Sequence, residues 1–199
     1  MAHPFRSYNR LAVDNLELNG SQVTVTAAEL NKLDDSAVVM TRGAGVSAAE
    51  SYACGAFRNG TLVTTRIVVD LTGLVGSASD TDIIGNTGGA ASAHWGRVTT
   101  ALNGAIIGGV VTCLEVPAGG TADINFYSAN ESTGAQDALA TSLTETVLVD
   151  NGGAWTTGVS KGMTAVPPAN DYLYIANGAA SGGTFTAGKF LIELFGYVA

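Results

Sequence analysis

The chain has 199 residues, with 9 basic and 17 acidic side chains, a formal net charge of −8, 46% hydrophobic residues and only 13% charged ones. That is enough chain for one domain with its own core, too apolar to stay disordered, and too acidic for a surface that grips nucleic-acid phosphates. No stretch approaches the roughly 18 consecutive apolar residues of a membrane helix, and Met1-Ala2-His3-Pro4-Phe5-Arg6 has no apolar run behind it to form a secretory leader, so the sequence predicts a protein made in a cytoplasm, with no membrane partner.

Residues 1–25 scatter Phe5, Tyr8, Leu11, Val13, Leu16 and Leu18 among polar residues. These are too few for a core of their own, which predicts an extended arm that buries them against a neighbour's surface. A helix is predicted over about 26–34. Thr26 and Glu29 form a capping box, and Leu30 and Leu33 share one face. At about two turns the helix is marginal alone and must pack on something. The expected organisation is an N-terminal arm with a short capped helix over 1–40, followed by a β domain over 41–199.

From about residue 45 the signals are β. Five Asn-Gly pairs punctuate the chain, starting at Asn19, Asn59, Asn103, Asn151 and Asn177. Such pairs supply the positive φ angles of tight hairpin turns. Predicted strands flank three of them: 50–58 and 61–71, 95–102 and 105–115, and 171–176 and 184–196. Alternation supports these strands. Between Leu62 and Leu71, the residues Val63, Thr65, Ile67, Val69 and Leu71 share one face, with Thr64, Arg66 and Asp70 on the other. The run Ile124-Asn125-Phe126 alternates in the same way. The last strand is apolar on both faces: Phe190, Ile192 and Leu194 on one, and Leu191, Phe195 and Tyr197 on the other beside Lys189 and Glu193. Such a strand is central in the molecule or shared with a second subunit. About eight to ten short strands with Gly-rich turns predict an all-β fold, an antiparallel β-sandwich or jelly roll.

No set of residues converges on chemistry. The two histidines are His3, in the arm, and His94, which starts a strand after a Gly/Ala-rich loop. Cys54 and Cys113 lie in separate predicted strands and read as buried thiols. Asp80-Thr81-Asp82 has a calcium-loop spacing without the other oxygen ligands. Glu115 and Asp123 flank a Pro-Ala-Gly-Gly turn and could meet across a hairpin as a glycosidase pair would. The glycine-rich loops match neither a dinucleotide nor a Walker pattern. Trp95, Trp155, Tyr127, Tyr172 and Tyr174 are candidates for a sugar-binding platform, or for core and interface anchors. No catalytic, cofactor-binding or metal-ligating residue is assigned.

Three stretches carry a resemblance. Thr26-Ala27-Ala28-Glu29-Leu30-Asn31-Lys32-Leu33-Asp34 resembles an element common in structural proteins of tailed bacteriophages, tail fibres included, where Gly usually follows in place of Asp35. The second comprises Ile67-Val68-Val69-Asp70-Leu71-Thr72-Gly73-Leu74 with Asp82-Ile83-Ile84-Gly85. The third comprises Thr112-Cys113-Leu114-Glu115-Val116-Pro117 with the C-terminal run from Ala187 to Tyr197. Together they resemble small phage virion proteins, most closely capsid decoration (cement) proteins. The resemblance implies a β-rich, non-enzymatic protein without cofactors, made in the host bacterial cytoplasm and located on the capsid surface of the virion. Its implied partners are the major capsid protein and further copies of itself, commonly as trimers at three-fold positions. Phe5, Tyr8, Leu11, Val13, Leu16, Leu18, Leu30, Leu33, Leu191, Phe195 and Tyr197 are then the expected protein contacts. The alternative is a tail-fibre, head-fibre or minor tail component that binds a host-surface glycan.

Overall fold

The computed structural model describes residues 17–18, 21–22 and 40–198. The chain divides into Met1–Ala37 and Val38–Ala199. In the first unit, β1 (Glu17–Leu18) pairs antiparallel with β2 (Ser21–Gln22), Leu18 opposite Ser21. The predicted helix over 26–34 lies outside the described residues, as do Phe5, Tyr8, Leu11, Val13, Leu16, Leu30 and Leu33.

The second unit is mostly β, in antiparallel sheets, as the alternation predicts. Its elements are β3 (Tyr52–Asn59), β4 (Leu62–Asp70), β5 (Val75–Gly76), a one-turn helix α1 (Thr100–Asn103), β6 (Ala105–Ala118), β7 (Ile124–Ala129), β8 (Glu145–Val149), β9 (Ser160–Gly162), β10 (Tyr172–Asn177), β11 (Gly183–Thr184) and β12 (Ala187–Tyr197). A five-stranded sheet has the order β3-β4-β12-β6-β9, a three-stranded sheet the order β10-β7-β8, and β11 pairs with β5. The two larger sheets meet across aromatic rings. Phe126 of β7 packs edge-to-face on Phe190 of β12, with centroids 5.2 Å apart, and Trp155 lies 5.3 Å from Phe190 and 6.1 Å from Phe126. The Trp155 indole N–H donates to the Ile124 carbonyl at 2.8 Å, so the buried ring loses no hydrogen bond.

β4 follows its alternation. Val63, Thr65, Ile67, Val69 and Leu71 are buried, and Arg66 is exposed. Asp70 departs from it: the carboxylate is 1% exposed because Lys189 of β12 covers it at 3.1 Å. β7 departs further, since all six of its residues are buried. Alternation in Ile124-Asn125-Phe126 marks two chemically different environments, both inside the molecule.

Only one of the three expected Asn-Gly hairpins forms. Asn59 pairs with Leu62, so the turn residues are Gly60 and Thr61. Gly60 has φ 62° and Thr61 does not have positive φ, the sign pattern of a turn with glycine in its first central position. The expected strand over 95–102 is instead an irregular segment ending in α1. Asn103 determines that outcome. Its side-chain oxygen accepts the Thr99 N–H at 2.8 Å, its amide donates to the Thr65 hydroxyl at 2.8 Å, and Gly104 closes the helix at φ 71°. Asn177 ends β10, but β10 pairs with β7 whereas β12 lies between β4 and β6. Its side chain is buried and donates to the Ser77 carbonyl at 2.6 Å. Its sequence signal therefore reports a buried polar tie between loops.

Candidate interaction surface

β12 is the middle strand of the five-stranded sheet, which explains its two apolar faces. Phe190, Ile192 and Leu194 point into the core and are buried. The odd-numbered residues point out, and the strand registers build one surface around them. Tyr197 lies opposite Leu62 and Ala105. Phe195 lies opposite Thr64 and Gly108, and Phe57 of β3 is the next residue across from Thr64. Glu193 lies opposite Arg66 and Val110, Leu191 opposite Val68 and Thr112, and Lys189 opposite Asp70 and Glu115. A register shift between Phe195 and Gly196 leaves Ile107 unpaired and 63% exposed.

The surface has an apolar end and a charged end. At the apolar end Leu62 is 56% exposed, Tyr197 44% and Phe195 37%, with Phe57 and Ile107 beside them. At the charged end every cation is matched. Arg66 Nε lies 2.9 Å from Glu193 Oε1, and its guanidinium sits 5.7 Å from the Phe57 ring centre. Lys189 Nζ lies 3.1 Å from both Asp70 Oδ2 and Glu115 Oε2. Burial alone would raise the Asp70 pKa. The Thr72 N–H and hydroxyl and the Lys189 ammonium outweigh it and hold the carboxyl below its ordinary range. Glu115 first, then Asp70, raise the Lys189 pKa. Paired charges beside exposed rings make a face whose apolar end sheds water at little cost.

Of the predicted contact residues, Leu191, Phe195 and Tyr197 share this surface, Leu191 half-buried and the other two exposed. Leu18 lies in β1, in the separate first unit. Sequence reasoning missed Phe57, Leu62 and Ile107. The hairpin register from Asn59-Gly60 signals that Phe57 sits across from Thr64. Pairing of β4 with β12 and the bulge at Ile107 have no local signal.

The other candidates go elsewhere. Trp95, Trp155, Tyr127 and Tyr174 are buried, as the reading of these rings as core anchors expects. The Tyr174 hydroxyl donates to the Glu131 carbonyl at 2.7 Å, and burial pushes its pKa up to about 12. His94 is half-buried, with its ring 4.7 Å from that of Tyr172, and burial lowers its pKa. Cys113 is buried and Cys54 half-buried, both thiols free and both pushed up in pKa by burial. Asp82 turns inward, its carboxylate accepting the Ser79 N–H at 3.0 Å. Glu115 faces Lys189, whereas Asp123 packs beside Gly178. Among the described residues no three His, Cys, Asp or Glu side chains are grouped to hold a metal ion, and no helix is long and apolar enough to cross a membrane.

The chain matches no protein-family model, no curated protein and no solved structure.

Proposed function

We propose that the protein is a non-enzymatic structural protein of a phage virion that docks on the outside of the capsid and strengthens contacts between capsomers. The observation that carries the reading is the outer face of the five-stranded sheet, where Phe57, Leu62, Ile107, Phe195 and Tyr197 lie exposed beside fully paired charges. An apolar face on a rigid sheet suits a broad protein surface better than a small ligand. The finer fold assignment, a β-sandwich of jelly-roll type, belongs to this proposal, as do the major capsid protein as partner and the trimer around three-fold positions. The many short strands with Gly-rich turns support the first, and the resemblance of the three sequence stretches to cement proteins supports the partner and the trimer. Repetition over a shell turns a modest contact into high avidity.

The test is the copy number in purified virions, read as the stained-band ratio to the major capsid protein. About one copy per capsid subunit is expected from the proposed coverage of the shell. A ratio of a few per cent would move the protein to the tail or to a vertex and favour the glycan-binding alternative. Absence from virions would overturn both.

A further inference from the structure

The two edges of the five-stranded sheet differ. At one edge β9 is only three residues long and carries Lys161, while the adjoining β6 has register shifts and contains Pro117. Short strands, lysines, bulges and prolines are the devices that keep sheet edges from pairing with other chains. At the other edge β3 runs eight residues, Tyr52–Asn59, in unbroken register with β4, with neither proline nor lysine. Among the described residues no strand pairs with its outer side.

We propose that β3 pairs antiparallel with β3 of a second copy about a two-fold axis through Gly55, joining the two five-stranded sheets into one. The Asp70 N–H donates to the Ser51 carbonyl, so alternation turns the backbone groups of odd-numbered residues toward β4. The N–H and C=O groups of Tyr52, Cys54, Ala56 and Arg58 then point outward. With Gly55 on the axis, Cys54 faces Ala56 of the second copy and Tyr52 faces Arg58, so every outward group finds a partner. The side chains fit the same register. Phe57 faces Ala53 of the second copy, large against small, and the Phe57 ring already lies over Gly55, 3.5 Å from where a Cβ would sit. Charge complements it too. The strand has Glu50 just before its start and Arg58 near its end, so an antiparallel copy brings acid toward base and a parallel copy does not. Such an edge contact is small, which makes the pair concentration-dependent in solution and effective where copies are crowded. The contact is two-fold, independent of docking on a shell, and adds to any three-fold clustering by joining one trimer to the next.

Cysteine trapping on the free full-length chain tests this. Gly55→Cys is made in a Cys54→Ser background, and oxidation uses dissolved oxygen with copper phenanthroline. Residues facing each other in a non-hydrogen-bonded antiparallel pair have Cα atoms about 4.5 Å apart, within disulfide range. Gly162→Cys in the same background is the control at the opposite edge, where a new Cβ meets nothing within 4 Å. The expected result is a reducible dimer forming roughly tenfold faster from Gly55→Cys than from Gly162→Cys. Adding Arg58→Glu, which sets like charges together, should slow it. Equal rates at the two edges would overturn the proposal, including the case in which residues 23–39 of the same chain occupy the β3 edge. So would a Gly55→Cys dimer insensitive to Arg58→Glu. No capsid is present, so failure of this contact and failure of docking read out separately.

Discussion

The two larger sheets of the second unit treat their outer faces differently. β7, in the middle of the three-stranded sheet, is buried throughout. The segment over 83–98 continues that sheet past β10, the Ile84 N–H donating to the Ile175 carbonyl at 3.0 Å and the Trp95 N–H to the Leu173 carbonyl at 2.7 Å, so this edge is paired. The loop at Gly134 presses so closely on Tyr174 and Ile83 that a Cβ there would sit within 2.8 Å of both. The five-stranded sheet, with equally apolar residues on its outer face, has no such cover among the described residues. Among the described residues, loops cover one sheet while the other keeps exposed rings, and the open face is the one proposed to dock.

The sharpest way to break that contrast lies within β12. Phe190→Ala removes the ring that touches Phe126 and Trp155 and should cost about 3–5 kcal/mol, measured as a loss in the urea unfolding midpoint. A cost near zero would mean that the aromatic layer does not hold the sheets together. Asn103→Ala leaves the Thr65 hydroxyl and the Thr99 N–H without their partner and should cost about 1–3 kcal/mol. Near-wild-type stability would show that the irregular segment does not depend on this side chain.

The two outer faces should also respond to different pH ranges. His94, against Tyr172, has a lowered folded pKa, so as pH falls below about 6.5 the unfolded chain takes up the proton first. Its contribution to stability is complete above that value and is lost as pH falls through the folded pKa. Asp70 has a depressed folded pKa, so its contribution is present above about 3.9 and is lost only as pH falls through the lower folded value. Melting temperatures at about pH 7.5 and 5.5 should fall less for His94→Phe than for the wild type. Identical drops would remove His94 from the account. The smallest effect on stability is expected at the contact face. Phe195→Ser should change unfolding free energy by about 1 kcal/mol or less while weakening the proposed capsid binding. A large loss of stability would mean that Phe195 belongs to the core.

What the sequence made legible follows the range of the signals. The buried face of β4 and the two apolar faces of β12 were readable because alternation is local to each strand. So was the β3–β4 turn, whose Asn59-Gly60 lies between two well-patterned runs. The strand expected before β6 does not form because Asn103 finds its partner on Thr65, thirty-eight residues away. Asp70 looked like a solvent-facing carboxylate for the same reason, as its cover comes from Lys189. The tryptophans were ambiguous between core and platform because composition says nothing of depth. Half of this exposed face has no local signal, since Phe57, Leu62 and Ile107 join Phe195 and Tyr197 only through strand pairing and a bulge.

Hydroxyl-radical footprinting of the protein, free and bound to virions, reads directly whether the outer face of the five-stranded sheet is the docking face. Docking through this sheet requires that Leu62, Phe195 and Tyr197 react in the free protein and are protected on the virion, while an exposed residue away from this face, Leu139, bridged to Asp82, keeps its reactivity. Equal reactivity of the three residues in both states would contradict docking through the five-stranded sheet.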